Sequence, residues 1–236
     1  MASLLGMPMV EHCFHRARLA YGTPQVYVAT CDRVIFEHIL GLGGNAIMTG
    51  SHHLRATTRT AEALEILRRT RGQRPDIVVM IQGDEPLIPP TALQTIRRPF
   101  QDPSVEIVNL MSRIRSLGSL LDRNNVKVVT DKNHNALYFS REAIPSPWKG
   151  WGLIPCYLQT GIIAFRAGTL KKLGAMAETP LERVESVDMN RVLESGGRIR
   201  MIPIQATTFG IDTRKDLAQA EKILLKDPHT RLYLAK

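Results

Sequence analysis

The run Ile77-Val78-Val79-Met80-Ile81, cut off by Gln82-Gly83-Asp84-Glu85-Pro86, constrains the fold more than any other stretch of the chain. Its residues are continuously apolar and mostly β-branched, which predicts a strand buried on both faces. Such a strand needs helices above and below it. Gly83 lets the backbone turn where a side chain would obstruct. Asp84 and Glu85 then fall just past the strand's carboxyl end, where open parallel sheets bind ligands. Two readings of this acidic turn stay open. Asp84 holds a divalent metal on a nucleotide's phosphates, or the turn merely caps the next helix.

The flanking segments alternate between helical and extended patterns. Helices are expected from Pro8 to Gly22 and over residues 34–42, 57–70 and 90–98, with strands over 25–30, 45–49 and 105–112. Asp131-Lys132-Asn133-His134 joins strands 126–130 and 136–140 as a hairpin, and a further strand covers 157–165. One continuous helix is expected over 181–193, stopped by Gly196-Gly197, and a last one over 215–225. Residues 1–6 are too few for a strand and loop, and the tail 226–236 has no clear period. The sum is one α/β domain over residues 1–236, a doubly wound, mainly parallel sheet with a strand-rich subdomain inserted at about 126–204.

Composition narrows the function. With 236 residues, 44% hydrophobic and 22% charged, the chain can bury a sizeable core. No segment approaches the ~18 continuous apolar residues of a membrane span. The start lacks a basic leader, and Cys13, Cys31 and Cys156 form no metal or disulfide pattern, so a cytoplasmic protein is expected. The net charge of +9 raises the question of nucleic acid, but Lys and Arg are dispersed. Arg68-Arg69-Arg71 and Arg97-Arg98 lie on expected helices, as solvated faces do. A phosphate-rich small substrate accounts for the arginines instead.

A second acidic turn, Phe209-Gly210-Ile211-Asp212-Thr213, again places an Asp after a Gly at a helix start. Alone, Asp212 reads as a helix N-cap. Paired with Asp84 across one crevice, it supplies the few hard oxygen ligands that suit Mg²⁺ when substrate phosphates complete the shell.

These turns carry a resemblance. Ile81-Gln82-Gly83-Asp84-Glu85-Pro86 resembles the metal-binding turn of the CMP-Kdo synthetases, the 3-deoxy-manno-octulosonate cytidylyltransferases. Further matches follow in the family's order: Asn125 to Val129, Ala136 to Arg141 with Ile144-Pro145, Thr179 to Glu182, and Gly210 to Thr213. Met7 to His12 and Val28 to Thr30 also look like family positions. The resemblance implies a fold of the nucleotide-diphospho-sugar transferase type, with a nucleotide half at about 1–125 and 205–226 and an acceptor and dimerisation subdomain at about 126–204. It implies a CTP-dependent enzyme of lipopolysaccharide biosynthesis that joins CMP to an acidic acceptor, Kdo or a related ulosonic acid, and releases pyrophosphate. The positions matching Asp84 and Asp212 hold Mg²⁺ in the family, those matching Thr57, Arg59 and Gln82 belong to the nucleotide side, and Gln82, Arg141, Gln159 and Asp188 match acceptor positions. Family members are commonly dimers through the subdomain, and residues 157–165 are the expected contact.

The sequence departs from the family in two places. The N-terminal strand and triphosphate loop, of the form Pro-Ala-Arg-x-x-Ser-x-Arg-x-x-Gly-Lys-Pro-Leu, have no counterpart, and Met7 replaces the Lys of Gly-Lys-Pro. A start upstream of Met1 and a degenerate, non-catalytic relative both remain open. On the acceptor side, a His becomes Gln159, a Tyr becomes Ile162, and a Glu-Gln pair becomes Asp188-Met189. Ile162 and Met189 cannot make the hydrogen bonds their counterparts offer a sugar's hydroxyls, so full-size Kdo is expected to fit poorly. A different or smaller acid, such as another ulosonic acid or a phosphonate, is favoured.

Other residues invite plainer readings. The rings of His52 and His53 are expected to point apart on their loop, with no third metal ligand evident. Trp148 and Trp151 are expected to anchor their loop or to join a dimer contact.

Overall fold

The computed structural model describes residues 2–234. The first half runs β1 (Ser3–Leu4), β2 (Met7–Pro8), α1 (Met9–Tyr21), β3 (Tyr27–Thr30), α2 (Arg33–Gly41), β4 (Asn45–Met48), α3 (Ala56–Arg71), β5 (Ile77–Ile81) and α4 (Pro90–Thr95). The second runs β6 (Ile107–Arg113), α5 (Leu117–Leu121), β7 (Lys127–Thr130), β8 (Ala136–Ser140), β9 (Tyr157–Arg166), α6 (Ala167–Ala175), α7 (Pro180–Glu185), α8 (Met189–Glu194), β10 (Arg200–Ile204), α9 (Arg214–Leu224) and α10 (Pro228–Leu234).

The expected α/β architecture is present, built on a mixed sheet. Six strands form it, in the order β10-β6-β9-β7-β8, with β5 pairing β9 off that path. β10 and β6 are parallel, while β9 runs antiparallel to β5, β6 and β7. Alternation along β6 divides the core. Ile107 and Met111 pack on one face with Phe165, Leu170 and Met201. Val108 and Leu110 pack on the other with Leu93, Ile96 and Phe100. β9 is buried on both faces and hydrogen-bonded on both edges, so residues 157–165 cannot serve as an open dimer edge. Trp148 anchors nothing within the monomer, being 84% exposed.

β3 and β4 form a separate parallel pair covered by α1 and α2. Among the described residues, β3 pairs only with β4 and β5 only with β9. Residues 26–29 and 76–82 therefore line a common cleft, floored by Phe14 and Ala17 of α1 and by Ala63 and Leu64 of α3.

Three segments differ from their sequence reading. Residues 3–8 form a minimal antiparallel hairpin that buries Leu4. Of the tail, residues 228–234 fold as α10, because Arg16, fully buried on α1, binds Asp227 and donates to Thr230 Oγ1 at 2.9 Å, and residues 235–236 lie outside the described residues. The helix expected over 181–193 is broken into α7 and α8 by Ser186 at φ 53°. Arg55 stabilises the break, donating from one guanidinium nitrogen to Ser186 O at 3.2 Å and to Ser186 Oγ at 2.8 Å. No helix among the described residues is long and apolar enough to cross a membrane.

Candidate active site

The cleft encloses 2120 Å³, more than the roughly 300–1,000 Å³ of an ordinary ligand pocket. It reaches the carboxyl end of β5, where Glu85 fastens three segments together. Glu85 is buried and accepts from Gly161 N at 2.6 Å and from Thr208 Oγ1 at 2.7 Å. Burial pushes its carboxyl up to about 7. The staple draws the 207–213 loop against the turn after β5, and Ile211 N donates to Asp84 O at 3.1 Å. Sequence reasoning missed Glu85; its signal was an acid locked between Asp84 and a proline at a strand end.

The two acidic turns consequently meet. A Cβ on Gly210 would lie 3.7 Å from Asp84 Oδ2 and 3.9 Å from Asp212 Oδ2, so the carboxylates flank this glycine. Asp84 is half-buried, and its Oδ1 is buried without a hydrogen-bond partner. Burial, and then the charge of Asp212, raise the Asp84 pKa. Two like charges side by side, one with an orphaned oxygen, fit a hard divalent cation. Asp212 is exposed at the mouth of the cleft, one residue before the N-cap of α9. That cap is a capping box, with Asp216 N donating to Thr213 Oγ1 at 3.2 Å and Thr213 N to Asp216 Oδ2 at 2.9 Å. Thr213→Ala is expected to cost about 1 kcal/mol of stability, read by urea denaturation, and to lower turnover only a few-fold.

The remaining expected site residues occupy three places. Gln82 packs over Gly161, where an added Cβ would lie 2.8 Å from Gln82 Oε1. Gln159 lines the cleft and donates to Asn109 Oδ1 at 2.8 Å. Arg141 also lines it, held by Nε donating to Glu185 O at 2.8 Å and by a second donation to Arg123 O at 3.0 Å. Glu185 in turn accepts from Tyr138 OH, Ser140 Oγ and Arg141 N, which ties the end of β8 to α7. Buried Lys127 donates to Asp122 O at 2.9 Å, to Asn125 O at 2.7 Å and to Arg141 O, joining the Asn125 motif to the Arg141 turn.

Arg59, on α3, folds back onto the preceding loop, donating to Thr49 Oγ1 at 2.6 Å and Gly50 O at 3.1 Å. Thr57 is buried behind the cleft wall and donates to the carboxylate of Asp188. The break between α7 and α8 is what presents Asp188 to the cleft. Ile162 and Met189 are fully buried in the core, so neither faces an acceptor. Hydrogen bonds lost at these positions therefore give no ground for disfavouring Kdo.

The cleft wall mixes Arg55, Arg59, Arg113, Arg115, Arg141 and Lys215 with the acidic pair, a surface suited to a phosphate-bearing ligand and its cation. Comparison with known proteins agrees with this chemistry. Residues 1–201 match the family model described as cytidylyltransferase. The 3-deoxy-manno-octulosonate cytidylyltransferase of Syntrophus aciditrophicus (strain SB) is 38% identical over 226 residues, 95% of this chain and 90% of that one. The protein of the same name from Pelobacter propionicus (strain DSM 2379) is 38% identical over 233 residues, 94% of this chain and 89% of that one. A solved structure of CMP:2-keto-3-deoxy-manno-octonic acid synthetase complexed with CTP superposes with a TM-score of 0.83 at 30% identity, covering 95% of this chain and 90% of that one. Fold, site and relatives define a nucleotidyltransferase. The chain belongs to the cytidylyltransferase family, among its 3-deoxy-manno-octulosonate members.

Proposed function

We propose that this protein transfers CMP from CTP to 3-deoxy-manno-octulosonate (Kdo), releasing pyrophosphate. The observation that carries the reading is the meeting of Asp84 and Asp212 about Gly210, at the carboxyl end of β5 and inside an arginine-lined cleft. In this reaction an acceptor oxygen bonds to the α-phosphorus of CTP. The α–β bridging bond breaks, pyrophosphate leaves, and the acceptor's proton passes to water. Asp84 and Asp212 would hold a Mg²⁺ ion, which when bound supplies neutralising charge for the phosphates. Arg59 is assigned to the nucleotide, its guanidinium held by Thr49 and Gly50 of the loop before α3. Thr57, buried behind the cleft wall, acts by fixing Asp188. Gln82, Arg141, Gln159 and Asp188 are assigned to the acceptor. Arg141 meets its carboxylate, a pairing for which a guanidinium is suited.

The test is pyrophosphate release from CTP against a panel of Kdo, other ulosonic acids and small phosphonates. Release is expected with Kdo and Mg²⁺ and is expected to vanish with EDTA. A phosphonate preferred by orders of magnitude would reassign the acceptor, and no release with any acid would support a non-catalytic relative. A homodimer belongs to the same reading, with exposed Trp148, Leu153 and Ile154 supplying apolar surface for it, and light scattering measures it directly.

A further inference from the structure

We propose that His52, His53 and Glu62 form a second metal site, for a zinc-type cation, between α3 and the preceding loop that holds the Arg59 guanidinium. The two rings do not point apart. Their centroids lie 4.1 Å from one another at 40°, and Glu62 of α3 completes a set whose ligand atoms all lie within 4.8 Å of each other. Gly50 makes this possible from both sides. A Cβ there would lie 2.4 Å from His52 Nδ1, so only glycine lets that ring fold back against the loop. The Gly50 N–H meanwhile donates to Glu62 Oε2 at 2.9 Å.

The hydrogen bonds around His53 orient its lone pair. Thr58 Oγ1 gives its proton to Arg55 O at 3.0 Å, so it accepts from His53 Nδ1–H, also at 3.0 Å. Metal-bound histidines are commonly fixed in this way, through the other ring nitrogen. Nε2 then faces Glu62 Oε2 at 2.5 Å. Nε2 and the Glu62 carboxylate thus face one another as two ligand atoms that a single cation can take together. A proton engages His53 and Glu62 alone and gives the folded-back His52 no task. A metal ion uses all three.

Two imidazoles and one carboxylate suit zinc rather than the hard cations expected at Asp84. Tetrahedral bonds of ~2.0–2.2 Å hold ligand atoms roughly 3.3 Å apart, so Nε2 and Oε2 separate slightly and His52 closes in. An adjoining hollow of 380 Å³, lined also by Glu65, Arg68 and Lys171, has room for a water as fourth ligand. The ion would brace the 49–55 loop, whose Thr49 and Gly50 hold the Arg59 guanidinium of α3.

The test uses the full chain, freed of metal by a chelator and titrated with Zn²⁺ in excess Mg²⁺ by calorimetry and thermal melting. One ion per chain is expected to bind with micromolar or tighter affinity and to raise the melting temperature. Co²⁺ in its place is expected to show the intense visible bands of a tetrahedral site. His52→Ala, at an exposed position, is expected to weaken binding at least tenfold while circular dichroism and the metal-free melting temperature stay unchanged. Glu62→Gln is expected to weaken it similarly, whereas Asp84→Asn is expected to leave it intact. Zn²⁺ binding unaffected by His52→Ala, or lost only in Asp84→Asn, overturns the site. No Zn²⁺ binding at all overturns it too, and assigns the His53 to Glu62 contact to a proton.

Discussion

Asp84→Asn is expected to lower pyrophosphate release by about 10²–10³-fold, the range seen when one electrostatic stabiliser of a transition state is removed. The substitution keeps the side chain's shape and removes its charge. Half of the acidic pair about Gly210 is thereby lost. The same change is expected to leave stability unaltered or to raise it. Burial and the Asp212 charge both push the Asp84 pKa up. A carboxyl whose folded pKa lies above its unfolded value costs stability progressively as the pH rises from the unfolded value to the folded one, and above the folded value the penalty is complete. At neutral pH without metal, Asn removes that penalty and the repulsion from Asp212. The paired result, turnover collapsing while the EDTA-treated melting temperature holds or rises, separates a lost site from a lost fold. Turnover within three-fold of the parent would remove Asp84 from the reaction.

The part of the site legible in the sequence was its backbone. An apolar run ending in Gly-Asp-Glu-Pro announces a strand and its ligand-bearing turn, and β5 ends at Ile81 with Asp84 three residues beyond. The hairpin of β7 and β8 was equally visible, because Asp131 Oδ1 accepts from the N–H of Asn133 at 2.8 Å and of Asn135 at 2.7 Å within the turn itself. Local chemistry of this sort is written in adjacent residues. What could not be read were groups whose partners are remote in the chain. Arg16 falls on a helix with ordinary apolar spacing, yet it is fully buried because α10 returns to it. Gln159, Ile162 and Met189 match acceptor positions by resemblance alone, and only the packing of β9 and α8 shows that the last two face inward. The period of residues 181–193 runs on through Ser186, so the break that exposes Asp188 depends on Arg55 from another part of the chain.

That break rests on a buried ion pair, which is where the largest effect on stability is expected. Glu182 is fully buried and Arg191 is 3% exposed. Arg191 Nε donates to Glu182 Oε2 at 2.6 Å, and its terminal nitrogen donates to Oε1 at 2.5 Å. The other terminal nitrogen donates to Leu173 O at 3.2 Å and Met176 O at 2.8 Å, which ties α8 to α6. The Glu182 carboxylate also closes the capping box that starts α7 with Thr179. Glu182→Ala removes the cap and strands a guanidinium in the core. A cost of about 3–5 kcal/mol is expected, as for other buried pairs deprived of one partner. For a chain of this length that corresponds to a melting temperature lower by roughly 10 °C. Replacing both charges, as Glu182→Leu with Arg191→Met, is expected to recover most of the loss, since apolar groups of similar volume commonly substitute for a buried pair. Glu182 acts on the site through Asp188, which α7 and α8 hold between them. Glu182→Gln keeps an acceptor for the cap and for Arg191, so it is expected to fold and to raise the acceptor's KM more than it lowers kcat. If Glu182→Ala melts within 2 °C of the parent, the ion pair does not hold the break and Arg55 with Thr57 must do so alone.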